Sequence, residues 1–114
     1  PAILRRMRAL AAAARRRVVV ADVPLLFEAG PALRRGRDYD LSMLVTARPR
    51  AALRRAMRRD GASRAEVLAR ARAQKPLDRK ERLADVVVRN DGSRRGLERR
   101  VREYHKALEL TASY

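Results

Sequence analysis

The side chains with the clearest potential for chemistry follow a short apolar run at residues 18–20. An unbroken run of three valines predicts a strand buried on both faces, and Pro24 ends its pairing because proline lacks a backbone N–H. Asp22 and the segment PLLFE (24–28) follow at the carboxyl end of this strand. Open α/β sheets bind ligands at that end, so we predict a ligand site here, with simple packing of an apolar loop as the alternative.

Four further patterns of charged, amide and glycine residues follow in order along the chain. They are L-x-R-x-x-x-R-D-G at 53–61, R-x-x-x-Q at 70–74, K-x-x-x-A-D at 80–85 and N-x-G-S at 90–93. Each pattern is short and weak alone. Because all four follow PLLFE in order and with natural spacing, together they strongly indicate a particular protein family.

These patterns, together with DVPLLFEAG at 22–30, resemble the dephospho-CoA kinases, P-loop enzymes that phosphorylate the ribose 3′-hydroxyl of dephospho-CoA. The resemblance covers nearly the whole chain. It implies dephospho-CoA and Mg-ATP as substrates. The fold it implies is the α/β fold of a P-loop kinase, similar to that of nucleoside monophosphate kinases. This chain is expected to hold a parallel three-stranded remnant of that sheet, with flanking helices and a helical lid.

The resemblance also implies roles for individual residues. The expected border of the dephospho-CoA site is Asp22, Pro24, Leu25, Leu26, Phe27 and Glu28, with the apolar side chains toward the pantetheine arm and Glu28 as an acceptor. The expected ATP and lid residues are Arg55, Arg59, Arg70, Gln74 and Lys80, and the lid itself is expected at about residues 59–80. Asn90, Gly92 and Ser93 are expected to flank the adenine. Local packing, solvated charges and a plain turn with a helix cap are the alternatives, and no catalytic base is assigned.

The phosphate-cradling motif G-x-x-x-x-G-K-[ST] is missing from the sequence. None of the five glycines is followed by a lysine. In the family that this chain resembles, the motif and the catalytic-base aspartate lie upstream of the segment present here. We therefore expect residues 1–114 to be a single partial kinase domain, the carboxyl-terminal part, without its P-loop portion.

The periodicity of apolar residues predicts the elements that position these side chains. Strands are expected at 18–22, 42–46 and 84–88, and helices at 2–15, 49–60, 64–74, 77–83 and after Ser93. A breaker cluster is expected at 29–31 and a short helical turn at 32–35. Ser63 and Glu66 fit a capping box. Strands that alternate with helices indicate βαβ units and a parallel sheet.

Composition excludes several classes of protein. The absence of cysteine and the single His105 exclude a disulfide framework and a multi-histidine metal site, so we expect no bound metal. No run of about 18 apolar residues exists, so we expect a cytoplasmic protein without a membrane partner. The sequence leaves the oligomeric state open.

The net charge of +16 raises the alternative of a small basic nucleic-acid-binding module. However, the arginines are spread along the chain, and one phenylalanine and three tyrosines provide few stacking aromatics. We expect polyanion binding that fades with salt but no specific nucleic-acid partner. A different P-loop metabolite or nucleoside kinase is the other alternative.

We expect the isolated chain to be poorly stable and to bind ATP weakly, because the central strand and phosphate cradle of such a kinase are missing. Each unpaired buried backbone group costs about 1–3 kcal/mol. Calorimetric titration of the chain with Mg-ATP checks this prediction, and binding in the micromolar range would contradict it.

Overall fold

Helices and two short strands alternate in the described part of the computed structural model, which comprises residues 2–16, 18–28 and 35–112. Their order is α1 (Ala2–Ala13), β1 (Met43–Thr46), α2 (Pro49–Asp60), α3 (Arg64–Arg72), α4 (Leu77–Leu83), β2 (Val86–Arg89) and α5 (Arg94–Ala112). The breaker cluster predicted at 29–31, and all but the last residue of the turn predicted at 32–35, lie outside the described residues.

β1 and β2 form a parallel pair, with Met43 opposite Val86 and Thr46 opposite Arg89. Parallel strands require a long crossover, and α2, α3 and α4 lie between these two strands in sequence. The predicted α/β class and the parallel pairing are therefore confirmed, with each strand within two residues of its predicted bounds.

The strand predicted at 18–22 does not form in the described structure, so the sheet there has two strands instead of the predicted three. Val19 is 48% exposed and Val20 is 85% exposed. β-branched residues favour strands chiefly when neighbouring strands pack against them, and no strand of the described residues pairs with this run. The sequence preference remains, but the hydrogen-bonding partner that would convert it into a strand is not among these residues.

Local signals fix the helix ends as predicted. Pro49 occupies the first turn of α2, where its missing N–H has no helical partner to lose, and Gly61 ends the helix with φ +61°. The Ser63 hydroxyl accepts from the Glu66 N–H at 3.2 Å, and Glu66 Oε2 accepts from the Ser63 N–H at 2.7 Å. This capping box begins α3 where the sequence indicated.

Few side chains are buried in the described structure. Val88 of β2 is 1% exposed, and the polar residues Ser42, Thr46 and Lys80 are buried as well. In β1, by contrast, Val45 is 57% exposed. Strands of parallel sheets are normally covered on both faces, so the described residues cover β1 incompletely.

The chain divides into two compact units. The central unit, Leu25–Leu97, contains β1, β2 and the three helices between them. The terminal unit combines Pro1–Pro24 with Glu98–Tyr114. In this unit α1 forms as predicted but exposes Ile3 and Leu10, two members of its apolar face. None of the helices in the described residues combines the length and the apolar character needed to cross a bilayer.

Candidate functional site

The carboxyl ends of β1 and β2 meet at one edge of the sheet, which is where parallel strands place their ligand sites. The Asn90 N–H donates to the Thr46 carbonyl at 2.6 Å. The Arg48 N–H donates to Asp91 Oδ1 at 2.5 Å. The two chain segments that leave the sheet are therefore held side by side by contacts between backbone and carboxylate groups.

Arg55 of α2 reaches the same edge. Its guanidinium NH1 donates to the Asn90 carbonyl at 2.8 Å, although the two residues are 35 positions apart in sequence. A predicted lid arginine and a predicted adenine-flanking residue thus come together. Ser93 Oγ accepts from the Gly96 N–H at 3.1 Å and caps α5, as the alternative interpretation of N-x-G-S had it.

Asp60, the last residue of α2, binds two other predicted lid arginines. Arg59 Nε and NH2 donate to the two Asp60 oxygens at 2.8 and 3.1 Å, and Arg70 NH1 from α3 donates at 2.9 Å. The hydrogen bonds from Arg59, together with the charges of both arginines, hold the pKa of Asp60 below its usual value. The carboxylate stays charged and keeps the two guanidinium groups at the junction of α2 and α3.

Glu28 lies in a cluster with three residues of the predicted lid. Its Oε1 accepts from Lys80 Nζ at 2.7 Å and from the Lys75 N–H at 3.1 Å. Lys80 Nζ also donates to Gln74 Oε1 at 3.1 Å. Lys80 is 9% exposed, and a lysine is rarely this buried unless it is paired. Glu28 was expected to accept from the substrate, and here its Oε1 accepts from the chain itself.

The second oxygen of Glu28 has a different environment. Oε2 is buried and has no hydrogen-bond partner among the described residues. A buried acceptor without a donor costs about 1–3 kcal/mol. The hydrogen bond from Lys80 lowers the pKa of Glu28, with help from the Lys75 N–H, while burial opposes this shift. The carboxylate is therefore charged at neutral pH and can accept one more donor at Oε2.

The remaining residues predicted to border the substrate lie in and before the turn at 24–28. Leu25 is 48% exposed, and Leu26 and Phe27 are half-buried, so part of this apolar surface is accessible to a ligand. Asp22 and Pro24 belong to the terminal unit, whereas Leu25 and the residues after it belong to the central unit. The polar link from this turn to the predicted lid is made by Glu28.

Ser42 and Asp85 fasten the amino ends of the strands, a role that the sequence reasoning missed. The Ser42 N–H and hydroxyl donate to Asp85 Oδ2 at 2.7 and 3.1 Å, and the Asp85 N–H donates to Ser42 Oγ at 3.2 Å. Arg35 NH1 lies 2.6 Å from Asp85 Oδ1. Each of the two residues precedes its strand by one position, whereas the predicted strands at 42–46 and 84–88 included both residues, so the sequence carried no signal for this contact.

The model of the dephospho-CoA kinase family matches residues 1–95. This chain belongs to the dephospho-CoA kinase family. A dephospho-CoA kinase of Deinococcus radiodurans is 40% identical over 114 aligned residues, which cover 97% of this chain and 53% of the relative. A dephospho-CoA kinase of Thermus thermophilus is 45% identical over 82 residues, which cover 72% of this chain and 38% of the relative.

A dephospho-CoA kinase of Carboxydothermus hydrogenoformans is 47% identical over 75 residues, or 66% of this chain and 34% of that relative. The chain thus spans from about a third to about half of the length of these kinases. The family predicted from PLLFE and the later patterns is confirmed. Every residue with a predicted role in this family member lies between residues 22 and 93, inside the matched range.

Two other features of this family member have no predicted role in substrate binding. In the terminal unit an open cavity of about 490 Å³ is lined by Arg15, Arg16, Val18, His105 and Glu109. His105 Nε2 lies 3.8 Å from Glu109 Oε1 on the next turn of α5. Within the described residues, no group of three histidine, cysteine or acidic side chains is arranged to hold a metal ion.

We predict that Asp85→Asn destabilises the complete gene product, by which we mean the whole protein encoded by the reading frame that contains this chain. The hydrogen bonds from the Ser42 backbone and hydroxyl, together with the charge of Arg35, hold the pKa of Asp85 below its ordinary value of 3.8. A lowered folded-state pKa gives stabilisation that is present above this ordinary value and is lost as pH falls through the folded-state value. The variant should therefore lose stability at neutral pH and show a shallower decline in acid.

Urea unfolding from neutral to acidic pH measures this difference. Asp40→Asn, which removes an exposed carboxylate near the same strand, is the matched control and should preserve the acid dependence. Equal pH profiles for Asp85→Asn and the unsubstituted protein would contradict the assigned role of Asp85.

Proposed function

We propose that the complete gene product is an ATP-dependent dephospho-CoA kinase. It transfers the γ-phosphoryl group of Mg-ATP to the 3′-hydroxyl of dephospho-CoA and releases CoA and ADP. The observation that carries this proposal is the family match over residues 1–95, which includes every residue of the candidate site. The contact between Arg55 and Asn90 at the carboxyl edge of the sheet supports a ligand site at that edge.

We assign the dephospho-CoA side of the site to Asp22, Pro24, Leu25, Leu26, Phe27 and Glu28. The exposed part of Leu25 supports contact with the apolar pantetheine arm. Glu28 Oε2 is buried without a partner among the described residues, which supports a role for this oxygen as an acceptor toward dephospho-CoA.

The ATP side of the proposed site comprises Arg55, the residues Arg59, Arg70, Gln74 and Lys80 in a lid of about residues 59–80, and Asn90, Gly92 and Ser93 beside the adenine. Phosphoryl transfer depends on positioning and on neutralising charge at the transferred group. Arg55 is the strongest candidate for that neutralisation, because its guanidinium already lies at the sheet edge. Arg59 and Arg70 are held by Asp60 at the start of the proposed lid.

We further propose that residues 1–114 act as part of one kinase domain with a larger parallel sheet. In this arrangement the run at 18–22 becomes a strand next to the strand that carries the P-loop. The high exposure of Val20 and Val45 supports it, because both are apolar side chains in runs that favour strands. The cytoplasmic location expected from the sequence stays a prediction.

We predict that the complete gene product converts dephospho-CoA to CoA when Mg-ATP is supplied. Separation of CoA from dephospho-CoA by chromatography measures product, and a coupled assay measures ADP. Adenosine and other nucleosides serve as competing acceptors and should give much lower rates. Failure to form CoA would overturn the proposal, and faster phosphorylation of another acceptor would favour a different kinase of the same class.

We predict that Arg55→Met lowers kcat/KM for Mg-ATP by about ten- to a hundredfold, since charge-assisted hydrogen bonds contribute about 1.5–3 kcal/mol. The matched control is Arg54→Met, which removes the neighbouring exposed guanidinium on the same helix. Steady-state kinetics of the complete gene product measure both variants. Equal losses in the two would show that Arg55 has no special role at the sheet edge.

A further inference from the structure

The cluster around Glu28 joins two regions to which the proposed function assigns different substrates. Glu28 is the last described residue of the turn at 24–28, on the dephospho-CoA side. Its partners Lys75 and Lys80 belong to the lid on the ATP side. The contacts connect residues 47 and 52 positions apart, so they are tertiary contacts and do not arise from local chain geometry.

A single carboxylate oxygen anchors two parts of the proposed lid. Glu28 Oε1 holds the backbone of Lys75, between α3 and α4, and the ammonium group of Lys80 in α4. Lys80 is the buried residue of α4, and α3 has no buried residue. The attachment of this helical segment to the turn at 24–28 therefore depends strongly on the position of one side chain.

Burial distinguishes this ion pair from others in the chain. The side chains of Lys80 and Glu28 are 11% and 19% exposed, whereas those of the Arg82–Asp78 pair on the same helix are 74% and 70% exposed. Solvent screens an exposed pair and weakens its hold on geometry, but it screens a buried pair much less. The turn at 24–28 and α4 are therefore joined by a contact that solvent weakens less than it weakens the exposed pair.

We propose that Glu28 and Lys80 are positioning residues that couple the binding of dephospho-CoA to the placement of the lid over ATP. This inference rests on the proposed function. Dephospho-CoA bound against the turn orders Glu28, and Glu28 in turn orders the segment from Lys75 to Lys80. ATP then binds to a protein whose lid is already in position. Binding of the two substrates is then positively cooperative, and the effect is reciprocal because it is a coupling free energy between two sites.

The test measures the dissociation constant of ATP for the complete gene product with and without saturating dephospho-CoA. We expect dephospho-CoA to tighten ATP binding by about fivefold or more in the unsubstituted protein. In Glu28→Gln and in Lys80→Met this ratio should fall to about one, and the double variant should lose no more than either single variant. The double variant keeps the fold testable, because it removes both charges of the pair and leaves no uncompensated buried charge.

The matched control is Asp78→Asn, which removes the exposed ion pair of α4 and should keep the full ratio. Hydrogen exchange gives a second readout: dephospho-CoA should slow exchange in residues 63–83 of the unsubstituted protein and the control, but not in either Glu28→Gln or Lys80→Met. No binding of dephospho-CoA to any form would overturn the proposed function and this inference with it. Binding that protects residues 63–83 equally in every variant, or an unchanged ratio, would overturn the inference alone.

Discussion

The register of the two parallel strands is the constraint on which the rest of the central unit depends. Ser42 and Asp85 exchange backbone and side-chain hydrogen bonds one residue before each strand, and this sets Met43 opposite Val86. A shift of one residue would turn every side chain of a strand to the opposite face. The same register brings the carboxyl ends together, so a contact at one edge of the sheet determines which groups meet at the other.

A small number of carboxylates organises a large excess of basic groups. The chain has 13 acidic residues against 29 lysines and arginines. Asp60 holds two arginines, Asp85 holds Arg35, and Glu28 holds Lys80. The first two carboxylates pair with exposed arginines. Such pairs contribute little to stability, although they orient the arginine side chains. The pair between Glu28 and Lys80 differs because both side chains are largely removed from water, so it constrains the backbone on both sides.

Local patterns in the sequence predicted most of the helices and both strands of the sheet, since caps, breakers and valine runs act over a few residues. The family was also predictable, because PLLFE and four later patterns occur in order. The predicted strand at 18–22 is not formed among the described residues, since a strand needs a partner that no local pattern supplies. The sequence likewise gave no sign that Glu28 meets Lys80, because a contact across 52 positions depends on tertiary packing.

The helix α3 is stabilised by its N-terminal cap and not by the burial of an apolar face. α3 has no buried residue, and its first turn is closed by the reciprocal contacts of Ser63 and Glu66. Gly61, two residues earlier, takes the left-handed conformation that other residues adopt only with strain. A helix secured in this way keeps its shape when its surroundings change. Arg70 ties α3 to Asp60 of α2 by a polar contact, so a movement of α3 would uncover no fully buried side chain.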